Sequence, residues 1–201
     1  MHRFESGRRL IFMKILRLYS SIIGSLSRKR WVVAFLPLLL LLFNMVIFPS
    51  IMARGNLQPH DIMLHYPAGD LIEYVQGMSP SQKTFSLVFH TTADIIYPVL
   101  YTILLSVLLF LTSGKNKGYQ SSQTNFGLTS LPLTIFFFDL LENAGMIILV
   151  ILSKSETPLP EVLFSLTAAA TIIKWIFAGI TILILGFTFL SYLFRKFKNH
   201  S

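Results

Sequence analysis

Four long apolar runs, separated by polar segments, dominate the chain. They cover about residues 31–48, 85–112, 131–152 and 162–194. A helix needs roughly 20 predominantly apolar residues to cross a bilayer, and four runs of about that length predict four membrane-spanning helices. The pattern therefore predicts an all-α fold, a four-helix transmembrane bundle over residues 31–194, whose helices are numbered here as spans 1 to 4.

Residues 1–30 form a basic segment ahead of span 1. They contain eight Lys and Arg residues against one acid, Glu5. Apolar residues recur in this segment at helical spacing, namely Ile11, Ile15, Leu18 and Ile22. The spacing predicts a basic amphipathic helix lying on the inner leaflet, and the alternative is a plain positive flank of span 1. Met13 is a second candidate for the start of the chain.

The distribution of basic residues predicts the orientation of the bundle. Of the 17 Lys and Arg residues, thirteen lie in the first 30 residues, the segment between spans 2 and 3, or the basic tail at 195–201. Three lie in the other two connecting segments, and Lys174 lies within a span. Because cytoplasmic loops carry the excess of positive charge, both termini are expected in the cytoplasm. The expected location is the cytoplasmic (inner) membrane of a bacterium.

The polar segment between spans 1 and 2 contains the signals of a short helix. Asp70 fits the N-cap of a helix over 71–76, and Gly77 fits its end. Ser79 followed by Pro80 then predicts the N-cap and first residue of the next helix. We expect the short helix to lie in the first outer loop.

Composition excludes several classes of protein. With 53% hydrophobic and only 13% charged residues, and a mean hydropathy of +0.65, the chain is too apolar for an ordinary soluble domain. The absence of Cys excludes disulfides, thiolate catalysis and cysteine-ligated metals. The basic residues that give the formal charge of +8 lie next to the apolar runs. The expected counter-charge is therefore the anionic headgroups of the inner leaflet, and not nucleic acid. A membrane-protein partner or a second copy of the chain is a further expectation.

Span 3 contains an acidic motif inside an apolar run. Asp139, Glu142 and Asn143 have the spacing i, i+3 and i+4, which places them on one face of a helix. Each acid at the bilayer centre costs about 2.5 to 3.5 kcal/mol on the insertion scale. This face is therefore expected to contact protein or trapped water.

Spans 2 and 4 also contain polar residues that share one face of each helix. A stripe in span 2 comprises His90, Asp94, Tyr97 and Tyr101, and Pro98 is expected to kink the helix at this stripe. In span 4, Thr171 and Lys174 share a face. Counted from the outer helix ends, Asp94, Glu142 and Lys174 lie roughly 14 to 18 Å deep, so the acids and Lys174 can form one cluster. Counted from the inner ends, Lys174 and Trp175 instead reach the outer interface, where Lys snorkels and Trp forms belts.

Such a cluster would place three carboxylates opposite one ammonium. That excess of negative charge predicts a protonated acid or a bound cation, and His90 at the outer rim is expected to exchange a proton with water. The candidate catalytic residues are Asp94, Asp139, Glu142 and Lys174. The candidate ligand or polar-cluster residues are His90, Asp94, Tyr97, Tyr101, Asp139, Glu142, Asn143, Thr171, Lys174 and Trp175. We expect no cofactor and no metal.

Three strings carry a resemblance to a known family. TADIIYPVLYTILLS, FFDLLENAG and TIIKWIFAGI are similar to the signatures of a family of small, uncharacterised bacterial four-span membrane proteins. The resemblance covers about Met13 to Leu193. It implies no activity, but it implies that the motif positions are Asp94, Tyr97, Pro98, Asp139, Glu142, Asn143, Lys174 and Trp175.

Three functions are compatible with the sequence. The first is helix packing combined with binding of a lipid-like ligand or partner, because intramembrane polar networks serve both. The alternatives are an acid–base enzyme acting on a lipid or isoprenoid substrate, and proton- or cation-coupled transport by an oligomer. No GxGxxG, P-loop, HExxH or GxSxG motif is present.

Overall fold

The computed structural model describes residues 2–57, 67–113, 127–155 and 159–198. Nearly all of these residues are helical, and no strand occurs among them. The helices are α1 (His2–Ser27), α2 (Arg30–Leu42), a π-helical turn (Phe43–Ile47), α3 (Phe48–Gly55), α4 (Ala68–Gly77), α5 (Pro80–Thr91), α6 (Ala93–Ser113), α7 (Pro132–Leu152) and α8 (Glu161–Lys198).

Four stretches of helix are long and apolar enough to cross a membrane, as the sequence predicted. They are Arg30–Gly55, Pro80–Ser113, Gly127–Leu152 and Glu161–Phe194, and they are spans 1 to 4 in the structure. The chain therefore has the helices of a multi-pass membrane protein. Its orientation in the membrane stays a prediction.

Span 1 continues beyond residue 48, where its apolar run was expected to end. The π-helical turn precedes Pro49, and the helix runs on through this proline to Gly55. Asn56 then ends it with a φ of 46°, the left-handed conformation that closes many helices. A wider turn accommodates Pro49, which lacks the N–H needed for a regular helical hydrogen bond.

Span 2 is interrupted at Thr92, ahead of the position predicted for a kink. Helix α5 ends at Thr91, and Pro98 lies inside α6. The hydroxyl of Thr91 donates to the Leu87 carbonyl at 2.6 Å, and that of Thr92 donates to the Val88 carbonyl at 2.5 Å. These bonds give the Leu87 and Val88 carbonyl oxygens side-chain partners next to the interruption.

Two N-caps were predicted between spans 1 and 2, and the structure has one of them at the predicted residue. Ser79 and Gln82 form the capping box of α5, with Pro80 at its first position, which confirms the predicted start. The N-cap of α4 is Pro67, however, so the prediction that Asp70 fills this role was wrong. Asp70 lies in the first turn, where its charge complements the helix dipole.

Helix α1 packs on span 2 through the side opposite to its predicted apolar stripe. The Tyr19 and Ser106 hydroxyls are 2.7 Å apart, and Ile23 is buried. Burial raises the pKa of Tyr19, and the hydrogen bond to Ser106 opposes the shift. Of the stripe, Ile15, Leu18 and Ile22 are exposed, and the side chain of Ile11 lies outside the described part. The interaction of this stripe with a leaflet stays a prediction.

The spans are not packed equally. Spans 3 and 4 share the most extensive contact, with a core formed together with α4 by Leu71, Val75, Met146, Leu149 and Phe164. Span 1 packs mainly on span 2, through a second core around Phe43, Phe89 and Ala93. Span 2 therefore lies between span 1 and the pair formed by spans 3 and 4.

A candidate intramembrane polar site

Lys174 forms ion pairs with both acids of span 3. Its Nζ lies 2.8 Å from Asp139 Oδ1 and 2.5 Å from Glu142 Oε2. The Tyr101 hydroxyl donates to Asp139 Oδ2 at 3.1 Å. The side chains of Lys174, Asp139 and Glu142 are 9%, 7% and 1% exposed. The structure thus buries Lys174 between the helices and does not extend it outward, while its depth in a membrane stays a prediction.

Asp94 belongs to a second group of buried contacts. Its Oδ2 lies 2.8 Å from His90 Nδ1, which is also 3.0 Å from Asn143 Oδ1. Asn143 Nδ2 donates to the Asp94 carbonyl oxygen at 2.7 Å, so its Oδ1 is the atom turned toward the imidazole. Because an amide oxygen only accepts, this network assigns a proton to His90 Nδ1. His90 is 5% exposed, so the expectation that it lies at a wet outer rim was wrong.

The position of Pro98 explains one of these contacts. Pro98 has no N–H and cannot make the helical hydrogen bond to the carbonyl of Asp94, four residues earlier. In the structure Asn143 of span 3 donates to that same carbonyl. The proline of one span is thus complemented by the amide of another, as buried backbone groups require a partner.

The two groups border one cavity of about 560 Å³. Nine of its fifteen lining residues are largely apolar, with Trp175 counted among them. The other six are polar or charged, namely Asn44, Asp94, Tyr97, Tyr101, Asp139 and Lys174. All four spans contribute to this lining. Among the candidate residues from the sequence, His90, Glu142, Asn143 and Thr171 are buried but are not among its lining residues.

Thr171 has a different environment from the other candidates. It is fully buried, and its hydroxyl donates to the Thr167 carbonyl at 3.2 Å within the same helix. Thr167 in turn faces Gly145 of span 3. Thr171 therefore lies on the packed face of span 4, behind the cavity.

Asn44 is a cavity residue that the sequence did not single out as part of the site. An Asn in an apolar span more often serves helix packing than a site. In the structure its Nδ2 donates to the Tyr97 hydroxyl at 3.0 Å and to the Leu40 carbonyl at 2.8 Å. It lies in the π-helical turn, a local widening that often occurs at functional sites. The nearby Pro49 was the available sequence signal, because such a residue disturbs regular helical hydrogen bonding.

The exposure of the lining residues indicates that the cavity opens between spans 1 and 4. Asn44 and Pro49 of span 1 and Ile182 of span 4 line it and are also exposed on the surface of the bundle. Exposed apolar residues flank this mouth on both spans, including Met45 and Leu183. Once the spans are in a bilayer, acyl chains would reach this opening directly.

The charged groups beside the cavity do not balance among the residues that the structure describes. Three carboxylates, from Asp94, Asp139 and Glu142, are shared between Lys174 and His90. If the acids are ionised, the group remains negative even when the imidazole is protonated. In a medium of low dielectric such an excess favours uptake of a proton or a cation.

The chain matches no protein-family model, no curated protein and no solved structure. The resemblance carried by the three strings therefore stays a prediction. Only the residues of the site itself therefore indicate its chemistry.

Proposed function

We propose that this chain is a multi-pass protein of the bacterial cytoplasmic membrane that binds a lipid-like ligand in the cavity between its spans. The ligand would enter from the bilayer between spans 1 and 4. The polar cluster would serve two purposes, holding spans 2, 3 and 4 together and receiving the polar end of the ligand. The observation that carries this proposal is the cavity itself, whose lining is mostly apolar but includes the charged groups of Asp94, Asp139 and Lys174.

The size and lining of the cavity support a small amphiphile. Ligand sites are typically about 300 to 1,000 Å³, mostly apolar, with a few polar groups that fix the orientation of the ligand. The apolar part of the lining includes Phe48, Met52 and Leu105, and the charged part includes Asp139 and Lys174. A molecule with an apolar body and one polar end matches both parts.

An orphan donor in this region also supports a ligand. Trp175 lines the cavity, and its Nε1 is buried without a hydrogen-bond partner among the described residues. A buried N–H with no acceptor costs about 1 to 3 kcal/mol. An oxygen or other acceptor on a ligand would remove this cost.

The contacts across the spans support the packing role. The Lys174 ion pairs join spans 3 and 4, and the bond from Asn143 to Asp94 joins spans 2 and 3. A polar contact inside an apolar bundle favours one arrangement of helices, because every other arrangement leaves buried groups unpaired. The same residues can thus hold the helices in register and border the ligand.

Native mass spectrometry of the protein extracted from its own membrane tests the proposal. We expect a co-purifying lipid-like mass with the wild type. Ala178→Phe should lose it, because Ala178 lines the cavity and a phenyl ring would fill part of the space. Gly179→Phe is the matched control, since Gly179 is exposed and a Cβ there would meet nothing within 4 Å. The same mass on all three proteins, or none on the wild type, would contradict the proposal.

A second candidate function is acid–base catalysis on a lipid or isoprenoid. It is favoured by the contact between Asp94 and His90 Nδ1, because a carboxylate that accepts this proton orients an imidazole and stabilises its charged form. The same spectra distinguish it from simple binding. A bound lipid that is chemically altered on the wild type, but not on Asp94→Asn, would favour the enzyme.

A further inference from the structure

We infer that the cavity selects a hydrophobic cation, an amphiphile whose polar end is an ammonium or similar positive group. The inference rests on the proposed function, because it specifies the ligand of the same cavity. It follows from three features of the site: the sign of the charge, the state of its one lysine and the aromatic lining.

The sign of the charge opposes an anionic ligand. Asp94 and Asp139 both line the cavity, and Glu142 lies directly behind Lys174. A phosphate or carboxylate group would add a fourth negative charge to three acids that share two basic groups. A positive group instead removes the imbalance and needs no counter-ion from water.

Lys174 does not offer an anion a ready partner. Its Nζ already lies 2.8 Å from Asp139 and 2.5 Å from Glu142. An incoming anion would have to approach an ammonium that already faces two carboxylates, and both carboxylates would repel it. Lys174 thus serves as the counter-charge of the acids of span 3, while the carboxylates of Asp94 and Asp139 line the cavity.

The aromatic lining suits a cation with an apolar body. Five rings border the cavity, those of Phe48, Phe89, Tyr97, Tyr101 and Trp175. Edge contacts fix several of them, with ring centroids 4.8 Å apart for Phe48 and Tyr97 and 5.6 Å apart for Tyr97 and Tyr101. The faces of aromatic rings attract organic cations, and cages of such rings recognise quaternary ammonium groups.

A pair of probes with the same shape and opposite charge tests the sign directly. Tetraphenylphosphonium and tetraphenylborate would be titrated against the full chain in nanodiscs. Trp31 is 66% exposed and lies outside the cavity, so Trp31→Phe leaves Trp175 as the single fluorescent reporter in the lining. We expect a saturable change with the phosphonium at an affinity at least about tenfold above that of the borate. Equal affinities, or tighter binding of the borate, would overturn the inference.

Two variants separate a cavity effect from partition into lipid. Ala178→Phe should abolish the saturable response, whereas Gly179→Phe should keep it. Asp94→Asn preserves the shape of the side chain and should weaken the phosphonium about tenfold, a larger loss than for uncharged hexadecanol. Unchanged phosphonium affinity in Asp94→Asn would contradict the charge selection, and wild-type discrimination between the two probes still decides the matter if that variant does not fold.

The outcomes also separate this inference from the proposed function. If Ala178→Phe removes a co-purifying lipid but tetraphenylphosphonium does not bind, the cavity binds lipids and the cation selectivity is wrong. If Ala178→Phe affects neither the lipid nor the probe, the proposed function itself is wrong.

Discussion

Spans 2 and 3 are joined by a hydrogen bond that replaces one missing from the backbone of span 2. Pro98 cannot donate to the Asp94 carbonyl, and Asn143 supplies that hydrogen bond from the neighbouring span. The amide then presents its oxygen to His90, which also contacts the carboxylate of Asp94. A single proline thereby positions an amide, an imidazole and an acid beside the cavity.

This relation predicts a specific coupling between Asn143 and Pro98. Asn143→Leu should lower the free energy of unfolding by about 1 to 3 kcal/mol, because it leaves buried polar groups unpaired. In that background Pro98→Ala should recover about 1 kcal/mol, since the restored N–H can reach the Asp94 carbonyl within α6. Unfolding of purified protein in mixed micelles, titrated with a denaturing detergent, measures all four stabilities. The same effect of Pro98→Ala with and without Asn143 would refute the coupling.

At the residue scale, the free-energy cost of placing charged residues in a bilayer was a better guide to the site than the spacing of polar residues along one helix. The cost of burying Asp139, Glu142 and Lys174 in a bilayer indicated that they meet inside protein, and the structure shows them in contact. The assignment of His90 to a wet rim failed because Asn143 of another span packs against its imidazole, a contact that spacing within span 2 does not reveal. Asn44 was missed because one polar residue in a span has no partner visible in the sequence.

At the scale of elements, spans 3 and 4 come into close contact at a glycine. A Cβ added to Gly145 would collide with the side chain of Thr167 and would lie 3.1 Å from the Thr167 Cβ itself. Small residues allow helix backbones to come together in membranes, where packing replaces the hydrophobic effect as the driving force. This close approach helps to keep Lys174 within reach of Asp139 and Glu142.

Filling the gap at Gly145 should therefore separate the two spans. Gly145→Ala is expected to lower the free energy of unfolding by about 1 to 3 kcal/mol, as overpacking does in tight cores. Thr167→Ala in the same chain should recover part of the loss, because it removes the hydroxyl and methyl that the new Cβ would meet. Gly179→Ala is the control and should cost nothing, since the space around it is open. Detergent-titrated unfolding measures each variant, and a Gly145→Ala protein as stable as the wild type would show that the spans are not closely packed there.

At the scale of the whole molecule, the order of the spans creates the site. Span 1 packs mainly on span 2, whereas span 4 packs mainly on span 3. A space remains between spans 1 and 4, and charged groups of spans 2, 3 and 4 are part of its lining. A more symmetric bundle with all neighbours in contact would close this entrance.

The orientation predicted from the basic residues can be tested on the intact chain, which has no native Cys. Ser25 of α1 and Ser155 after span 3 are both exposed, so Ser25→Cys and Ser155→Cys place single thiols on opposite sides of the predicted topology. A membrane-impermeant maleimide should label the second variant in intact spheroplasts and the first only after lysis. Labelling of Ser25→Cys in intact spheroplasts, or of both variants equally, would refute the predicted orientation.

Hydrophobic length by itself was enough to predict an all-helical chain with four spans, because the bilayer demands helices of one minimum length and a local pattern reveals them. Capping at Ser79 was readable for a similar reason, since the donor and acceptor lie three residues apart. The pairing of Asp94 with His90 and Asn143, the inclusion of Asn44 and the opening between spans 1 and 4 were decided only in the tertiary structure. These features depend on how helices rotate and pack against one another, and periodicity within one helix carries no information about the rotation of its neighbour.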